Sequence, residues 1–96
     1  MAYYATINEQ NIVIAVNTGV DETVTQNGIG GSSEAWENYY TQQLNNPNLY
    51  VKQTSYNGNY RGHYAGIGYT FDADLGEYGE FVPPPIPDPI EPIDEP

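Results

Sequence analysis

The chain has 96 residues, no cysteine, and thirteen acidic side chains against two basic ones, a formal charge of −11 at pH 7. That length allows one small hydrophobic core. The missing cysteines exclude a disulfide framework and thiolate zinc sites and suit a reducing cytoplasm, and the charge repels phosphate backbones, so direct nucleic-acid binding is not expected. Strong acidity serves solubility and also favours docking on a basic partner.

Met1 is followed by Tyr3 and Tyr4 with no basic segment, so no secretory leader is expected. The longest apolar run, Ile12 to Val16, is far too short to span a bilayer. Over Tyr3 to Asn8, Tyr3, Ala5 and Ile7 alternate with Tyr4 and Thr6, which reads as a half-buried strand. Ile12 to Val16 is continuous and mostly β-branched, which predicts a central strand covered on both faces. The polar link Asn8-Glu9-Gln10-Asn11 has hairpin length. Thr18 to Gly31 is polar and ends in glycines, a surface loop with room for a short strand at Glu22 to Thr25.

Ser32 and Ser33 offer a helix N-cap, and Trp36, Tyr39, Tyr40 and Leu44 fall on one helical face before Asn45-Asn46-Pro47 ends the pattern. The spacing predicts a helix over about 33–45 that covers one face of the sheet. Leu49, Val51 and Gln53 then begin another strand.

Asn57-Gly58 is a strong signal for a type I′ hairpin between Thr54-Ser55-Tyr56 and Asn59-Tyr60-Arg61. Gly62, Gly66 and Gly68 interrupt the run beyond Arg61, and Ala65 to Phe71 reads as a strand with Ile67, Tyr69 and Phe71 on one face. Its other face is nearly bare, which invites another backbone to come close. Asp72 to Gly79 is a turn and Glu80-Phe81-Val82 a return strand. From Pro83 the chain reads PPPIPDPIEPIDEP, half of it proline, so polyproline II is favoured over helix or central strand. Ile86, Ile90 and Ile93 recur among its acids, as expected of an arm that seats apolar side chains on a neighbouring subunit.

No segment supplies a catalytic set. His63 has no recognisable nucleophile or acid partner and reads as a packed or interface residue. Gly66-Ile67-Gly68 is a fragment of a dinucleotide fingerprint, but it leads into a strand and offers no helix terminus for phosphate. Asp72-x-Asp74-x-Gly76-Glu77 lacks the third oxygen side chain, the sixth-position glycine and the distant glutamate of an EF-hand calcium loop, and reads as an acidic turn. No metal or cofactor is expected. The ten tyrosines suit core and protein contact, with sugar stacking as the other use of such rings.

The block QTSYNGNYRGHYAGIGYTFDADLGEYGEFVPP resembles one found in small uncharacterised proteins of tailed bacteriophages, especially marine cyanophages. The opening MAYYATIN, followed by Asn11-Ile12-Val13, is similar to the start of the same family. Together these cover about half the chain. The middle departs from the family's pattern, because Trp36 stands well upstream of the QTSYN block. The resemblance implies a place in the virion and carries no catalytic residues across.

The expectation is a mostly β to α+β domain over 1–82, a small antiparallel sheet of hairpins with one amphipathic helix, and an extended acidic proline-rich arm over 83–96. Its expected role is non-enzymatic: a capsid decoration or cement protein, made in the host cytoplasm and present in multiple copies per particle. Its partners are expected to be other virion proteins, the major capsid protein first and tail proteins next. Tyr56, Tyr60, Arg61, His63 and Tyr64 would contact the shell, and Ile86, Ile90 and Ile93 would anchor the arm. The alternatives are a tail or fibre accessory protein and an acidic inhibitor of a host protein. No membrane association is expected.

Overall fold

A computed structural model describes residues 2–58 and 60–85. The fold is mostly β with one helix. In chain order it comprises β1 (Ala2–Ile7), β2 (Val13–Gly19), β3 (Thr25–Gln26), β4 (Ile29–Gly30), α1 (Ser33–Leu44), β5 (Tyr50–Thr54), β6 (Thr70–Asp72) and β7 (Glu80–Val82). The principal sheet is antiparallel with strand order β2-β1-β5; β3-β4 and β6-β7 are separate two-stranded ribbons.

β1 is therefore the central strand and β2 an edge, the reverse of the order expected from hydrophobicity. Successive side chains of a strand point to opposite faces, and both faces of β1 are covered. Ala2 and Tyr4 join Val51 beneath Trp36 of the helix, while Ala5 and Ile7 join Val13 against Ala65, Phe71 and Phe81. The two faces of β1 thus serve two cores, each with one alanine and one large side chain. β2 buries only Val13 fully and leaves Ile14 43% exposed.

α1 begins and ends where expected. The Ser32 side chain caps it by accepting from Ala35 N–H at 3.1 Å, and Asn45 closes it in the left-handed region with φ 52°. Tyr39, Tyr40 and Leu44 pack around the Trp36–Tyr4 core, with the Tyr4 and Tyr40 ring centres 4.9 Å apart. Burial among these groups pushes the Tyr4 phenol well above the ordinary tyrosine range.

The type I′ turn forms, but at the other Asn-Gly pair. Asn27 and Gly28 take φ 53° and 79°, and join β3 to β4 as a two-residue hairpin inside the stretch expected to be loop. At Asn57-Gly58 the chain makes a tight turn, Gly58 N–H to Ser55 O at 2.9 Å, without a returning strand. A return would need the outer edge of β5, and side chains already hold it: Val51 N–H donates to Thr41 Oγ1 and Gln53 N–H to Glu37 Oε2.

The strand expected over Ala65 to Phe71 shortens to β6. Tyr69 N–H bonds Gly66 O at 3.0 Å in a turn that leaves Ile67 74% exposed. The bare glycine side takes up no other backbone: nothing lies within 4 Å of where a Cβ on Gly68 would stand, and one on Gly66 would meet the Tyr69 ring. The segment instead joins the start of β2 edge-on, Gly68 N–H donating to Val13 O and Val13 N–H to Tyr69 O. β7 returns as expected, placing Phe81, fully buried, 5.0 Å from the Phe71 ring.

Candidate interaction surface

Three tyrosines from distant parts of the sequence meet on one side of the sheet. Tyr3 lies on β1 opposite Thr54, the last residue of β5. Tyr56 follows two residues later, in the turn. Tyr64 is brought in because the Thr54 hydroxyl clips its neighbours, accepting from Ala65 N–H at 2.9 Å and donating to His63 O at 3.3 Å. The rings then lie 5.9 Å (Tyr3–Tyr56), 5.6 Å (Tyr3–Tyr64) and 5.3 Å (Tyr56–Tyr64) apart, tilted or edge-on. These separations suit the ring quadrupoles. Tyr56 is 66% exposed, so the cluster presents aromatic area to solvent from a fixed base.

Beside it lies a concavity of about 280 Å³ between Tyr3, Tyr56, Glu22 and Gln53. A second, sharing Glu22, Gln53 and Ser55, ends at Tyr60. Their floor is cross-linked, since Gln53 Nε2 donates to Glu22 Oε1 at 2.9 Å and Ser33 Oγ donates to Gln53 Oε1. Tyr60 continues the aromatic surface towards Tyr78, their ring centres 5.7 Å apart. Partial burial raises the Tyr60 phenol, with the Arg61 charge acting against that shift.

Arg61 does not belong to the exposed surface. Its side chain is 7% exposed and its NH1 group donates to Glu37 Oε2 at 2.7 Å and to Gln53 O at 3.1 Å. Its Nε donates to Tyr78 O at 3.0 Å, and the guanidinium lies 4.7 Å from the centre of the Tyr60 ring. Glu37, itself buried within the helix, also has Lys52 Nζ at 3.8 Å. Both cations of the chain thus converge on one internal carboxylate. Arg61, expected at the shell contact, thus has its side chain buried and tied to Glu37, Gln53 and Tyr78 within the fold. The stripe expected on the helix, Trp36, Tyr39, Tyr40 and Leu44, omits Glu37, whose cationic partner stands 24 residues further along the chain.

His63 is exposed, and its Nδ1 lies 3.0 Å from Phe81 O. A carbonyl only accepts, so this nitrogen carries the proton. Of the five domain residues expected to make contacts, the fold unites Tyr56 with Tyr64, sets Tyr60 and His63 nearby in the same segment, and withdraws Arg61. It adds Tyr3 and Tyr78, the latter 57% exposed. Ile86, Ile90 and Ile93 lie outside the described residues. Among the described residues no group of three or more His, Asp or Glu side chains converges as a metal site would require, and no helix is long and apolar enough to cross a membrane. No family model matches the chain, and no curated protein or solved structure matches it.

Proposed function

We propose that the chain is a non-enzymatic structural component of a bacteriophage virion, a capsid decoration protein that grips neighbouring shell subunits through its tyrosine face and its C-terminal arm. The observation that carries this reading is the Tyr3–Tyr56–Tyr64 cluster: three rings in mutual contact, with Tyr56 two-thirds exposed. Tyrosine gives large contact area with few rotatable bonds and a polar end that tolerates water, which is why it is enriched at protein interfaces. The acidic surface favours a basic partner, and the phage setting rests on the resemblance of the QTSYN block. Proline-rich Pro83–Pro96 supplies a segment that loses little entropy on docking.

Quantitative mass spectrometry of purified particles tests the reading. Many copies per particle, travelling with heads, are expected, and Tyr56→Ala should lower that occupancy while leaving the melting temperature near wild type. Low copy number with tails would make the chain a tail accessory. Complete absence from particles would overturn the virion assignment and favour the host-directed inhibitor.

A further inference from the structure

The two edges of the principal sheet are finished differently. Along β5 three outward groups are occupied: Val51 N–H by Thr41 Oγ1, Gln53 N–H by Glu37 Oε2, and Gln53 O by Arg61. Tyr50, Lys52 and Thr54 therefore turn inward, opposite Ile7, Ala5 and Tyr3 of β1. Backbone groups alternate in direction along a strand, so Ala2, Tyr4 and Thr6 turn the other way and meet Gly19, Asn17 and Ala15 of β2. The same alternation leaves the N–H and C=O of Val16 and Thr18 pointing away from the sheet.

This opening is bounded on both sides. Upstream, Val13 bonds Gly68 and Tyr69. Downstream, Val20 N–H donates to the Tyr40 hydroxyl at 3.1 Å and Val20 O accepts from the Tyr4 hydroxyl at 2.7 Å. Between them, no strand of the described residues lies beside Val16 and Thr18. Open edges are ordinarily blunted by charge, proline or a covering element. β2 reads VIAVNTG, with neither charge nor proline, in a chain of thirteen acids. The groove of about 220 Å³ beside it is lined only by uncharged residues, among them Asn17, Thr18, Tyr40 and Leu44.

We propose that β2 pairs with β2 of a second copy, antiparallel about a two-fold axis through Asn17, joining the two three-stranded sheets into one of six strands. Val16 of each copy then faces Thr18 of the other and exchanges both backbone hydrogen bonds with it. Charge selects this occupant. Two copies of −11 repel over most of their surfaces, and β2 offers a whole strand where neither contributes a charge. A basic partner would be drawn to the acids elsewhere. The inference is independent of the virion reading.

Sedimentation equilibrium of the full chain, from micromolar to millimolar, tests it. The mass should rise from 10.7 kDa to twice that value, at lower concentration as added salt screens the repulsion. Thr18→Pro deletes the outward N–H and leaves the β1–β2 ladder intact, a position an edge strand tolerates. This variant should keep wild-type circular dichroism and stay monomeric. Thr18→Lys, a charge in the same opening, should weaken association at least tenfold and decides the matter if the proline variant does not fold. A wild-type mass fixed at 10.7 kDa throughout overturns the proposal. So does a folded Thr18 variant that associates as wild type does.

Discussion

Arg61 holds a left-handed backbone, φ 63°, while its guanidinium reaches Glu37 on the helix, Gln53 on β5 and the Tyr78 carbonyl. Ion pairs of this kind add little net stability over apolar replacements, yet removing one partner leaves the other charge stranded. Arg61→Ala leaves Glu37, 3% exposed, with Lys52 at 3.8 Å as its remaining cation. Urea unfolding of that variant should show a loss of about 3–5 kcal/mol. Replacing both partners with methionine should recover only part of it, because Gln53 N–H and Gln53 O lose their partners as well. The tyrosines make a second residue-level prediction. Burial raises the phenols of Tyr4, Tyr50 and Tyr60 in the folded chain. The folded state then holds its protons more tightly than the unfolded state, so this stability is complete below the unfolded pKa and falls as pH rises beyond it. Melting temperature should be unaffected by these groups up to about pH 10 and decline above it; a melting temperature that rises in that range would contradict the assignment.

Among the elements, the β3–β4 hairpin offers the sharpest contrast. Gly28 has φ 79° and open space where a Cβ would stand, so Gly28→Ala should cost about 1–2 kcal/mol from backbone conformation alone. Gly30 has φ 104°, and a Cβ there would lie 2.4 Å from both Trp36 Nε1 and Val24 O. Gly30→Ala adds that collision and displaces the 2.9 Å bond from Trp36 Nε1 to Val24 O, so it should destabilise clearly more. Equal losses in urea would show that the hairpin does not pack on Trp36. The same elements show what local sequence can specify. The cap at Ser32, the Trp36–Leu44 stripe and the stop at Asn45-Asn46-Pro47 act over a few residues, and α1 was readable from them. The β1–β2 hairpin was readable too, but not the exchange of edge and centre, because β5 approaches from far along the chain. Two Asn-Gly pairs carry the same turn signal. Which one becomes a hairpin depends on whether a strand edge is free to receive the return, and Glu37, Thr41 and Arg61 decide that at β5. The tyrosine cluster was half legible for the same reason: Tyr56 and Tyr64 stand in one block, while Tyr3 joins them only through sheet register.

At the scale of the whole molecule, charge and core are unevenly distributed. Phe81 is the last core residue in chain order among the described residues, and Pro83 to Pro85 are exposed. Four of the thirteen acids, Asp88, Glu91, Asp94 and Glu95, lie beyond it with the three isoleucines. Ending the chain after Val82 therefore keeps the residues of both core clusters and the Thr70–Val82 pairing, while removing acidic charge and the apolar side chains assigned to the arm. The truncated chain should melt within a few degrees of the full one, since a loss of 1 kcal/mol would itself shift a domain of this size by about 4–8 °C. On particles lacking the wild-type protein, its occupancy should fall at least tenfold relative to the full chain, and the residual binding should weaken further with Tyr56→Ala. Full occupancy after truncation would remove the arm from the mechanism and leave adhesion to the tyrosine face alone, whereas a collapse of the melting temperature would mean that 83–96 contributes to the core.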